Sequence, residues 1–90
     1  MARSRKPERE AVYESPGYLE LLQRLATNVR ELRVARGMTQ EEAGEATQMS
    51  DRMIQRIETA KTNATLATLA RLADGLDVDV VALLAPRRRR

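Results

Sequence analysis

Apolar residues recur along this chain at three- and four-residue intervals, and no stretch shows the two-residue alternation of a strand. Leu19, Leu22, Leu25, Val29 and Leu32 form one face of a predicted first helix. Ser15-Pro16, an N-cap hydroxyl before a proline at the first helical position, opens it, and Gly37 closes it. Thr39-Gln40-Glu41-Glu42 has the spacing of a capping box, with Thr39 as N-cap and Glu42 reaching back to it. The helix it starts is short, because Thr47-Gln48 interrupts the pattern before Met49. Ser50 caps a third helix whose Met53, Ile54 and Ile57 turn inward, while 100° stepping puts Asp51, Arg52, Gln55, Arg56 and Thr59 on the opposite face. A polar loop, Lys61-Thr62-Asn63, follows. Thr65 caps a fourth helix with the stripe Leu66, Leu69, Leu72, Ala73 and Leu76, and Asp79 caps a short fifth containing Val80, Val81, Leu83 and Leu84, ended by Pro86. The expectation is an all-α, five-helix domain over residues 16–85, with its second helix at about 39–47 and its third at about 50–59.

Composition narrows the chemistry. Ninety residues suffice for one domain with one modest core. With neither Cys nor His, the chain has no disulfide, no thiolate, no thiol-ligated zinc and no imidazole base. No metal set, nucleophile–base pair or phosphate loop can be assembled, so neither catalysis nor a cofactor is expected. No apolar run approaches the ~18 residues of a membrane span, and residues 1–15 lack a signal-peptide core, so a cytoplasmic protein is the expectation. Two tyrosines, Tyr13 and Tyr18, are too few for base-stacking platforms. The net charge of +3 is unevenly spread. Residues 16–85 hold eight basic and ten acidic residues, a net of −2, while Arg87 to Arg90 carry +4 and residues 1–15 net +1. The sequence thus predicts a flexible charged arm at 1–15 and an arginine tail at 86–90, and any polyanion site on the domain must focus its few cations on one face.

A capped short helix, a tight break and a second capped helix with exposed arginines, TQEEAGEATQMSDRMIQRIE from Thr39 to Glu58, is the layout of a helix-turn-helix. With LRVARGMTQEEAGEATQMSDRMIQRIETAKTNATLATLARLADGLDVDVVALL from Leu32 to Leu84, the chain resembles the lambda-repressor-like family of the Cro/CI or Xre type. The resemblance covers all the helix junctions. Four positions depart from the pattern: Gln48 replaces the turn glycine, Ala43-Gly44 stands where Leu-Ala is usual, Ala60 replaces the glycine after the third helix, and Ala64 replaces a proline. Gln48 must then take a left-handed or strained conformation, or the turn must differ, and Ala43-Gly44 predicts a less well packed second helix.

The resemblance implies duplex DNA as partner, with the third helix as recognition helix. Arg52 and Arg56 lie one turn apart on its exposed face, where a guanidinium can read guanine O6 and N7, although Arg56, one turn further on, can instead reach only phosphate. Asp51 can accept from a cytosine amine, hold Arg52, or simply favour the helix N-terminus. Ser50 and Gln55 complete the face. Similar repressors use the position of Gln40 to bind phosphate and brace the recognition helix, and run the loop of Lys61, Thr62 and Asn63 along the backbone. Arg33 and Glu58 match a largely buried ion pair. Leu76, Val78, Val81 and Leu84 are the candidate surface for a homodimer on paired half-sites. The leading expectation is a sequence-specific transcriptional regulator that represses by occupying an inverted repeat or contacts RNA polymerase. Alternatives are an antitoxin whose arm folds on a toxin, and a protein-bridging module of the same fold, which the net −2 of residues 16–85 favours.

Overall fold

The computed structural model describes residues 11–86, so the predicted arm at 1–10 and the arginines at 87–90 lie outside the described residues. Five helices carry the domain: α1 (Pro16–Ala35), α2 (Gln40–Thr47), α3 (Asp51–Glu58), α4 (Leu66–Leu76) and α5 (Val80–Leu84). Each begins as its sequence dictates. The side chains of Ser15, Thr39, Ser50, Thr65 and Asp79 accept a hydrogen bond from a backbone N–H of the first turn, and Glu42 closes the capping box by accepting from the Thr39 N–H at 2.9 Å. Residues 11–15, assigned to the arm on sequence, carry structure of their own. Ala11 and Val12 are helical, Ser15 donates to the Val12 carbonyl, and Tyr13 meets Tyr18 edge-on with ring centroids 5.2 Å apart.

Four of the helices also end alike. A residue in the left-handed region donates its N–H to the carbonyl three residues back, and its successor donates to the carbonyl five back, the Schellman arrangement. After α1 these residues are Gly37 and Met38, bonded to Val34 and Arg33. After α2, Gln48 and Met49 bond to Glu45 and Gly44; after α3, Ala60 and Lys61 bond to Ile57 and Arg56; after α4, Asp77 and Val78 bond to Asp74 and Ala73. Only the first of the four stops uses glycine. The φ angles of Gln48, Ala60 and Asp77 are +61°, +57° and +56°, so three side chains sit where a Cβ is disfavoured by about 1–2 kcal/mol. Met38, Met49 and Val78, which follow Gly37, Gln48 and Asp77, turn back to pack against the core and help hold those three turns closed. We expect Ala60→Gly to stabilise the fold by about 0.5–1 kcal/mol, the relief of the Cβ less the greater freedom of glycine in the unfolded chain. An unchanged urea midpoint would show that Ala60 is unstrained.

The core is one cluster: Leu25 and Val29 of α1, Ala43 of α2, Ile54 and Ile57 of α3, Leu72, Ala73 and Leu76 of α4, and Leu83 of α5. α2 packs on α3 and α4, and α1 on α3 and α5. The expectation of a loosely packed α2 is corrected. Ala43 is sealed, and Gly44 lies so close to the next turn that a Cβ would come within 2.6 Å of the Met49 carbonyl oxygen. Gly75 does the same for α4, its Cβ position lying 2.6 Å from both the Ala46 carbonyl oxygen and the Thr47 methyl. Small residues here permit a close approach rather than leaving a gap. Two stripe residues do not reach the core: Leu19 is 50% and Leu66 83% exposed, because each sits in the first turn of its helix. Leu76 is a further correction. At 1% exposed it is core within a single chain and has no surface to offer a second copy. α5 is held to α1 by Asn28, whose amide donates to the carbonyls of Leu83 and Ala85, both at 3.0 Å. No helix among the described residues is long and apolar enough to cross a membrane.

Candidate nucleic-acid interface

Three residues, Gln48 to Ser50, separate α2 from α3, and the left-handed Gln48 makes the turn. Ile54 and Ile57 anchor α3 from below at 0% and 1% exposure, so its outer face is presented rigidly. That face carries Asp51, Arg52, Gln55, Arg56 and Thr59, all exposed, and together with Lys61 they line an open groove along the helix. Three cations stand there against one carboxylate. Three of the eight basic residues of 16–85 therefore share this side.

The side chains differ in what they already hold. The side chains of Arg52 and Gln55 make no hydrogen bond or ion pair with any described residue, leaving their side-chain donors for an outside partner. Asp51 does not hold Arg52, since no ion pair joins them; it lies in the first turn of α3, where the helix dipole favours a carboxylate. Ser50 accepts from the Met53 N–H at 3.1 Å and spends its acceptor on the cap. Thr59 donates to the Gln55 carbonyl at 2.8 Å. Arg56 donates to the Lys61 carbonyl at 2.9 Å, a tie that sequence reading did not foresee. Thr62 and the exposed Asn63 continue the loop beyond it, with the Thr62 hydroxyl donating to the Asn63 carbonyl at 3.3 Å.

Behind the groove is the ion pair. Arg33 meets Glu58 with both arms, Nε to Oε2 at 2.6 Å and Nη2 to Oε1 at 3.1 Å, and the side chains are 14% and 3% exposed. Arg33 Nη1 also donates to the Met38 carbonyl at 2.8 Å, and Gln40 Nε2 donates to Glu58 Oε1 at 3.1 Å. The Glu58 hydrogen bond raises the Arg33 pKa above its ordinary value, burial works against it, and the charge of Glu58 adds to the rise. One carboxylate at the end of α3 thus binds the C-terminal part of α1 and the first residue of α2. Gln40 has the bracing geometry expected of it, and its amide already points one donor inward.

The segment that builds this turn, ion pair and helix face, residues 29–83, matches a family model described as helix-turn-helix, HTH_3. The chain belongs to this family. Its members are DNA-binding regulators of transcription. Solved structures agree. An HTH_3 family transcriptional regulator from Vibrio cholerae superposes with a TM-score of 0.71 at 28% identity, over 74% of this chain and 38% of that one, so this chain spans well under half of that protein. The restriction-modification controller protein C.AhdI from Aeromonas hydrophila gives 0.66 at 27% identity, covering 69% of this chain and 94% of that one. A hypothetical transcription factor, NHTF, from Neisseria gives 0.72 over 96% of this chain and 88% of its own, and at 24% identity it supports the fold alone. Comparison with curated proteins finds no match.

Proposed function

We propose that this protein regulates transcription by binding a specific duplex DNA sequence as a homodimer, with α3 of each copy in the major groove of one half of an inverted repeat, and that it represses by occupancy. The observation that carries this reading is the outer face of α3, where Arg52 and Gln55 stand exposed and unpartnered on a helix anchored by two buried isoleucines. Arginine pairs with guanine and glutamine with adenine through two parallel hydrogen bonds each, so these side chains suit base edges. Gln40, Lys61, Thr62 and Asn63 are the phosphate-side residues of this reading, and Asp51 is placed to accept from a cytosine amine. The dimer contact falls on Val81, which is 70% exposed, with the half-buried Val78 and Leu84 beside it. The likeness to C.AhdI, a restriction-modification controller protein, supports a regulator of this kind.

Selection from random duplex DNA at about 150 mM salt, with wild type and Arg52→Ala side by side, tests the proposal. Wild type is expected to enrich a palindrome. Arg52→Ala is expected to relax one position in each half-site, with a loss of about 1–3 kcal/mol of discrimination there. A uniform weakening with the motif unchanged would move Arg52 from the bases to the backbone, and no enrichment by wild type would leave the protein-bridging reading.

A further inference from the structure

We infer that Arg56, although it lies on the recognition face, is a positioning residue: it holds the loop after α3 so that Lys61 meets a DNA phosphate, while base reading falls to Arg52 and Gln55. This inference rests on the DNA-binding reading above. Arg56 grips Lys61 from both sides of the peptide. Its carbonyl accepts the Lys61 N–H at 2.8 Å, and its guanidinium Nη2 donates to the Lys61 carbonyl at 2.9 Å. The residue between them and the helix end, Ala60, is left-handed at φ +57° without being glycine, so the turn needs holding. At the three other helix stops the residue in the position of Lys61 is Met38, Met49 or Val78, which packs against the core and closes the turn by apolar contact. Lys61 is exposed and polar and cannot do this. The Arg56 side chain supplies the missing fastening with a hydrogen bond.

The same tie has an electrostatic consequence. Arg56 and Lys61 line one groove, and among the described residues no acidic side chain bonds either of them. Two cations held side by side repel each other until an anion lies between them, which a backbone phosphate supplies. The Lys61 carbonyl takes one of the five donors of the Arg56 guanidinium and ties it toward the loop, whereas the Arg52 side chain is held by no described residue.

A double-mutant cycle on the selected DNA tests the assignment, using Arg56→Ala, Lys61→Ala and the pair, with affinity measured across a salt series. Each single variant is expected to lose roughly tenfold affinity uniformly across sequences and to lower the salt slope by about 0.9, the share of one phosphate contact. The double variant is expected to match the singles, because Arg56 acts through Lys61. A hundredfold loss in the double, with twice the slope change, would make Arg56 an independent phosphate contact and overturn the inference. Relaxation of a base position by Arg56→Ala would overturn it as well. Arg56→Gln, which keeps most of the aliphatic stem, repeats the cycle if Arg56→Ala melts early. Failure of wild type to bind any duplex selectively is a separate result, and it would strike the functional proposal itself.

Discussion

Replacing Glu58 by alanine is expected to lower the unfolding free energy by about 3 kcal/mol, a large part of the stability of a domain this small. The carboxylate is 3% exposed and takes three donors, two from Arg33 and one from Gln40. Without it the guanidinium, itself only 14% exposed, keeps one carbonyl partner at Met38 and no counter-charge. The cost is that of a stranded charge rather than the net worth of the pair, which is far smaller. Glu58→Gln should therefore fall between wild type and Glu58→Ala, since it restores shape and one acceptor but no charge. Urea unfolding of the three proteins checks the order. A loss below about 0.5 kcal/mol for Glu58→Ala would mean that Arg33 finds water and that the pair does not bind α1 to α3.

The second large effect comes from a single added methyl group. In Gly44→Ala the new Cβ would lie 2.6 Å from the Met49 carbonyl oxygen and 3.2 Å from both the Asp51 nitrogen and the Ser50 carbonyl carbon. All three neighbours are backbone, so no rotamer change can relieve the contact. α2 must move away from the start of α3, and overpacking of this kind costs about 1–3 kcal/mol. We place Gly44→Ala near the top of that range, because the gain in helix propensity from alanine, about 1 kcal/mol, recovers only part of the strain. The shift also tilts α3, so under the proposed function DNA affinity is expected to fall even at temperatures where the variant is folded. Wild-type melting with wild-type affinity would show that the α2–α3 turn has slack.

Features that depend on near neighbours in sequence were legible from the sequence. All five N-caps, the capping box and the break at Gln48 are decided within one helical turn, and the structure has each of them. The Arg33–Glu58 pair was legible only through family resemblance, because 25 residues separate its partners. What the sequence could not supply is distance between elements. Periodicity marks Leu19 and Leu66 as apolar positions but is blind to where the neighbouring helices stop, and so it overstates the core at both. It marks Leu76 and Val81 alike, yet one is sealed and the other open. Ala43-Gly44 reads as weak helix by propensity, and only the approach of the following turn reveals why a glycine fits there. Asn28 gave no signal, since its partners lie 55 and 57 residues away. The tie from Arg56 to Lys61 is close in sequence, but it needs the left-handed Ala60 to bring the carbonyl within reach.

The side chains carried by three of the four helix stops bear on how freely this protein can change its target. New contacts on a recognition face tend to weaken folding, and a domain near its stability threshold tolerates few of them. Here Gln48, Ala60 and Asp77 each keep a conformation that glycine would adopt more easily. Gln48 and Asp77 stand outside the groove that α3 presents, and Ala60 contributes no lining to it. Changes at these three corners could together offset on the order of 2 kcal/mol. Side chains in the α3 groove can therefore change while folding is restored at positions that contribute no lining to it.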